Sequence, residues 1–396
     1  MTLITNRVRT STLGILLFGL LAIAPPSGNP GPQVRGTMGE IVESLHVLLP
    51  LSLDSTRFED PAHRAEIDAA LERLAHNSQR LEAHGSTHDA GFAFLSESFA
   101  RDSQDIRKRF AEGRVAETRF LLQQLTDTCV ACHSRLPNDR PHPLGRRLIE
   151  NETIAVLPPE QRVQLEVATR QFERALATYE SIFADPATSM LELDLTGHFE
   201  SYLELCLRVR EDPERAISHL QKLAARRDLP PRLRPDLATW IESLQTLRNN
   251  HHGPPLERAR ELIRGHAEPL RPLDASKLVP LIAASGVLYR YVESSSDPPR
   301  QLGEAYYLLG VIESRIGRSM WASQTGPLLE AAIRMGPTEP YADRAFDLLE
   351  EFLVSGYTGS SGTNIPADVR QRLDALHELM VRAHRARSGD ENVPDS

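Results

Sequence analysis

Apolar positions recur at steps of three and four residues along most of the chain, the period of an α-helix with one buried face. Met38, Ile41, Val42, Leu45 and Leu49 form a first stripe, ended or kinked by Pro50. From about Pro61 to His84, Ile67, Ala70, Leu71, Leu74 and Leu81 form a second, with Gly85 as its stop. A third helix is predicted from Asp89 to about Glu112, carrying Phe92, Leu95, Phe99, Ile106 and Phe110 and closing at Gly113. A fourth runs from Arg114 to Leu136 through Val115, Leu122, Leu125, Cys129 and His133, and stops at Pro137. Four helices joined by short turns predict an antiparallel up-down bundle over 35–137.

The proline- and arginine-rich stretch 138–159 reads as an interdomain linker. Helical patterns resume at 163–183, 195–209, 213–225, 233–247, 256–267, 277–292, 302–316, 326–335, 341–354 and 367–386. Helices in pairs without strand signals over 160–387 predict stacked helical hairpins, as an alternative to a generic α-helical domain. Leu309-Gly310, Leu329, Ala332 and Pro337 resemble a tetratricopeptide repeat, and Asp212-Pro213-Glu214-Arg215-Ala216-Ile217 resembles the start of a second helix in such a unit. The resemblance is degenerate, since no constant repeat length survives. Residues 388–396 are polar and predicted to be disordered. The fold class expected is all-α.

Arg7 and Arg9 precede an apolar run, Leu13–Ala24, of about 12 residues. That is too short for a spanning helix of roughly 20 and suits a secretory signal. Residues 1–24 are therefore read as a signal peptide and 25–34, with its prolines and glycines, as a flexible leader. Pro25 disfavours cleavage directly after Ala24, so a later cut or a retained membrane tether are the alternatives. The 396 residues carry a formal charge of −9, which excludes a nucleic-acid partner of the usual basic kind. Three cysteines are too few for a disulfide scaffold.

Two of those cysteines lie in Cys129-Val130-Ala131-Cys132-His133. This is the attachment pattern for a c-type haem: two thiols near each other on a helical turn form thioethers with the vinyl groups, and the adjacent imidazole ligates the iron. Zinc would need four ligands, and only Cys206 and scattered histidines remain to complete a set. A thioredoxin-like use expects a βαβ context that the sequence lacks. One covalent haem c is the expected cofactor, and the export signal agrees with a periplasmic location or the periplasmic face of the inner membrane.

The motif follows three helices and sits near the end of the fourth. In that order it resembles the class II c-type cytochromes, cytochrome c′ and the low-spin cytochrome c556 type, which are four-helix bundles with the haem motif near the C-terminus. The resemblance covers about residues 35–137. The family often has an aromatic three residues after the histidine and a basic residue next; here Leu136 and Pro137 stand there, with Arg135 displaced. Up-down geometry sets the start of the first helix beside the end of the fourth, so Met38 is the candidate distal ligand to an iron held by His133. In the family the distal residue also comes from early in the first helix, a few positions after an arginine, and Arg35 precedes Met38 by three. The alternative for Met38 is an ordinary core methionine over a five-coordinate iron. His46 competes, but lies about 12 Å further along at 1.5 Å per residue and roughly 80° off the stripe.

Other chemistry-bearing residues read blandly. Cys206, on an apolar face with Phe199, Leu203 and Leu207, reads as a buried inert thiol, with an intermolecular disulfide the alternative, and Trp240 and Trp321 occupy packing positions. His251-His252, and His84 with His88 around Gly85, read as loop histidines, with metal binding the lesser alternative. The arginines of 206–264 read as a solvated face. No enzyme motif is present, and a non-enzymatic role is expected. The leading expectation is an exported monohaem cytochrome that transfers electrons and docks a redox partner or a membrane assembly through its C-terminal domain. Gas binding or sensing (nitric oxide, carbon monoxide) is the alternative, and a helical assembly scaffold the third.

Overall fold

A computed structural model describes residues 32–137, 143–190, 197–249, 253–264, 277–295, 297–316, 323–360 and 362–390. The signal segment, most of the leader, His251, His252, Trp321 and the tail beyond 390 lie outside them. The described residues are all-α: their only strands are Thr358–Gly359 and Gly362–Thr363, a two-residue antiparallel pair.

Four long helices carry the first core: α1 (Pro32–Ser52), α3 (Arg64–Gly85), α4 (Ala90–Ala111) and α5 (Val115–His133), with the short α2 (Ser55–Glu59) between the first two. α1 packs on α3, α3 on α4, α4 on α5, and α5 returns to α1. Neighbours joined by turns as short as 86–89 and 112–114 must run antiparallel. Two contacts confirm which ends meet. The start of α1 and the end of α3 share a cavity of about 260 Å³ lined by Val34, Thr37, Arg80 and His84. The turn before α4 touches the end of α5 through Asp89 and Arg135. The α4–α5 turn is built by Gly113, whose positive φ of 78° lets its N–H reach Phe110 O while Arg114 N–H reaches Arg109 O. Inside, Ile41, Leu48, Ile67, Leu71, Leu74, Ile106 and Leu122 are fully buried. Truncating any one of the leucines to alanine costs about 2–5 kcal/mol.

The expected linker is a packed structure where it is described. α6 (Pro143–Ile149) and α7 (Glu152–Ala155) bury Leu148, Ile149 and Ile154 completely in the first core. The physical reason is that apolar side chains every few residues outweigh the prolines, which stand at helix starts where no N–H is needed. α6 lies along α1, and Gly145 lets it abut the end of α8 (Pro159–Ala168): a methyl group there would overlap the Thr169 carbonyl oxygen.

The helix expected over 163–183 is two. Arg170 takes a left-handed φ of 60°, and the N–H groups of Arg170 and Gln171 turn back to Val167 O and Glu166 O. The chain restarts as α9 (Phe172–Ala184). The following helices are α10 (His198–Glu204, continuing as a π-turn over Leu205–Val209), α11 (Pro213–Ala224), α12 (Leu233–Asn249), α13 (Pro255–Ile263), α14 (Leu278–Ser294), α15 (Pro299–Ile316), α16 (Thr325–Met335), α17 (Pro340–Gly356) and α18 (Ala367–Asp390). Most consecutive helices pack on one another, α12 packs on α14, and together they enclose a second core that reaches from Val163 to Met380. The last helix continues to Asp390.

Candidate functional site

α5 explains why its last turn holds chemistry. Thr118, Leu122, Leu125 and Thr128 are its buried positions, at helical spacing. The same stripe continues into Cys129, Cys132 and His133, which fall within about 100° of one another at 100° per residue. α5 ends at His133, three residues before the expected stop, with Ser134 N–H closing on Val130 O. The three residues are therefore still presented by regular helix.

This end of α5 is wedged between the two cores. Cys129 packs with Met38 and Phe92 against the first core, whereas Val130 and Leu136 pack against the second. α5 also lies against α8. Cys129, Cys132 and Cys206 are free thiols. Burial pushes Cys129 up to about 12, helped by the neighbouring Cys132 and Asp127. Burial also pushes Cys132 up to about 12, against the pull of Arg135. Thiols held protonated at neutral pH are poor nucleophiles, unlike the lowered thiols of disulfide exchangers. Cys206 is fully buried and its thiol is raised by burial too, in keeping with the inert role read from its apolar face.

His133 is oriented by the second core. Its Nδ1 lies 2.8 Å from Ala168 O, the last carbonyl of α8, so Nδ1 carries the proton and the ring's lone pair sits on Nε2. A metal-ligating histidine is usually fixed in this way, through a carbonyl on its other nitrogen. The left-handed turn at Arg170 and the close approach of Gly145 to Thr169 hold that carbonyl in place.

Arg135, two residues on, is buried with Asp89 at 2.6 Å. Asp89 also caps α4, accepting from Gly91 N and Phe92 N. Burial alone would raise the Asp89 carboxyl, but Arg135 and the two backbone N–H groups hold it below the ordinary carboxylate value. The guanidinium lies over the Tyr289 ring of α14, 4.4 Å from its centroid. Tyr289 in turn donates to Glu313 on α15 at 2.9 Å. Arg208 closes the network, 3.0 Å from Glu204 and 3.5 Å from Glu313, with Nε donating to Ser285 at 2.7 Å. Arg208 is thus fully buried, a correction to the solvated face expected for the arginines of 206–264: the π-turn directs it inward, where two carboxylates compensate its charge. Sequence spacing hides this network, because its members come from five separate segments.

Of the two distal candidates, Met38 is half-buried on α1 and faces the core that Cys129 faces. His46 is turned elsewhere, with Nε2 donating to Leu144 O of α6 at 3.0 Å. Among the described residues no three His, Cys, Asp or Glu side chains form a set for a bare metal ion, and no helix is long and apolar enough to cross a membrane. The residues do suit an iron porphyrin. Two thiols and an Nε2 share one helical face, and the buried Arg135 Nε–H has no acceptor among the described residues, a donor suited to a porphyrin carboxylate. No family model matches the chain, and no curated protein or solved structure is significantly similar to it.

Proposed function

We propose that the chain is an exported, monohaem c-type cytochrome of class II type that carries electrons, with its helical-hairpin domain docking a redox partner. In this reading α1, α3, α4 and α5 form the antiparallel four-helix bundle of that class. Cys129 and Cys132 hold the porphyrin through thioethers, and His133 Nε2 holds the iron. The bound group supplies a one-electron couple, which Met38 as a sixth ligand would raise in potential. The observation that carries the reading is the hydrogen bond from His133 Nδ1 to Ala168 O, made by the histidine of the Cys129–His133 motif.

The residues around the motif have definite tasks. Ala168 O fixes the imidazole plane. Arg135, neutralised by Asp89, keeps its Nε–H beside the last turn of α5 as a donor to a porphyrin carboxylate. Reversible redox titration of protein matured in a host that attaches c-type haem tests the proposal: one electron per chain is expected, and a chain that does not cycle refutes it.

Gas binding is the second reading, and the same hydrogen bond favours it. Because His133 is tied to α8, a change in iron ligation would reach the second core directly. Carbon monoxide added to the reduced protein separates the two, since a methionine-ligated iron resists it and an open one binds at once.

A further inference from the structure

Beyond the motif on α5, the structure brings together two histidines that sequence reasoning left as loop residues. The winding of α3 does not stop at Gly85. Ser86 N–H reaches Glu82 O, Thr87 N–H reaches His84 O, and His88 N–H reaches Gly85 O. The turn therefore stacks His88 one step beyond His84, with ring centroids 4.4 Å apart. Their Nε2 atoms are 2.8 Å apart. The Phe92 ring packs edge-on against both imidazoles, at 6.3 Å and 5.3 Å. Gly85 locks the backbone, because a methyl group there would overlap Ser96 of α4. Across the junction, Glu293 of α14 places a carboxylate oxygen 3.5 Å from His88 Nδ1.

We propose that His84 and His88 form a binding site for a borderline divalent cation such as zinc, oriented by Glu293 and independent of any haem. The two Nε2 atoms already lie at hydrogen-bond distance, and a cation that takes both would displace the proton they share. A tetrahedral ion with Zn–N of about 2.0–2.1 Å needs its nitrogens about 3.3 Å apart, a small widening of the present gap. A carboxylate behind the far nitrogen of a ligating histidine fixes its tautomer and raises its basicity. With no third donor in reach among the described residues, water completes the shell, so micromolar rather than structural affinity is expected. The His88 and Glu293 side chains remain partly exposed, at 24% and 18%, which leaves an entry path.

The test is calorimetric titration of the untagged, haem-loaded chain with zinc sulfate at pH 7. One ion per chain is expected, with affinity at least tenfold weaker in His84→Gln and in His88→Gln and about tenfold weaker in Glu293→Gln. His251→Gln with His252→Gln should leave it unchanged, and far-UV circular dichroism checks that each variant is folded. Wild-type protein that binds no zinc overturns the proposal, as does an affinity within threefold of wild type in either histidine variant. A changed haem spectrum in His88→Gln also overturns it, because the imidazole would then belong to the iron. Haem content itself is not at issue in any arm, so failure here leaves the cytochrome reading standing.

Discussion

Asp89→Asn isolates the ion pair that ties the start of α4 to the end of α5. The side chain performs two tasks: it caps α4 through Gly91 N and Phe92 N, and it neutralises Arg135 at 2.6 Å. Asparagine caps a helix as well as aspartate does, so the substitution removes only the charge. Both partners are nearly inaccessible, with side chains 2% and 4% exposed, and breaking such a pair leaves a bare guanidinium inside. The expected loss is about 3–5 kcal/mol. Asp89→Ala should add the cap, about 0.5–2 kcal/mol more. Because Asp89 titrates below its ordinary value when folded, the pair's contribution is fully present above the unfolded carboxylate value of about 3.9. It is lost as pH falls through the folded value. The wild-type advantage over Asp89→Asn should therefore be flat from about pH 5 upward and shrink in stronger acid. Urea unfolding followed by circular dichroism at several pH values measures it. A variant within about 1 kcal/mol of wild type at pH 7, or an advantage that grows in acid, refutes the reasoning.

Other outcomes follow from the same structure. Gly145→Ala forces α6 away from Thr169 and should cost about 1–3 kcal/mol, with a shifted haem spectrum because the Ala168 carbonyl moves with it; an unchanged spectrum and stability would contradict the packing argument. Met38→Ala should abolish the methionine-to-iron absorption feature of the oxidised protein and admit carbon monoxide to the reduced one. On the proposed reading, in which Cys129 and Cys132 become thioethers, haem-loaded native protein should show no thiol reactive toward a disulfide reagent and a single one, Cys206, after unfolding, since Cys206 is fully buried in the fold.

Much of the helical layout was legible because each long helix keeps one apolar stripe and ends on a residue suited to ending it. Asp89 before α4 and Gly113 after it are local signals, and the structure uses both. The break at Arg170 was not legible: a non-glycine residue with positive φ leaves no mark in composition, and the apolar spacing continues across it. The packed segment over 143–157 was masked by its prolines, although Leu148, Ile149 and Ile154 were visible as apolar positions. At the site, the two cysteines and His133 are contiguous and so could be read directly. Asp89, Ala168 and Tyr289 could not, because their roles depend on which distant helix ends meet. His84 and His88 were dismissed on loop position alone, and only the continued winding past Gly85 brings them together.

The most direct measurement is the intact mass of the full chain produced in a host that matures c-type cytochromes, followed by sequencing of the peptide containing residues 129–133. The account predicts one iron porphyrin's added mass, retained after acid denaturation and mapped to Cys129 and Cys132. An unmodified chain with both thiols free would contradict it.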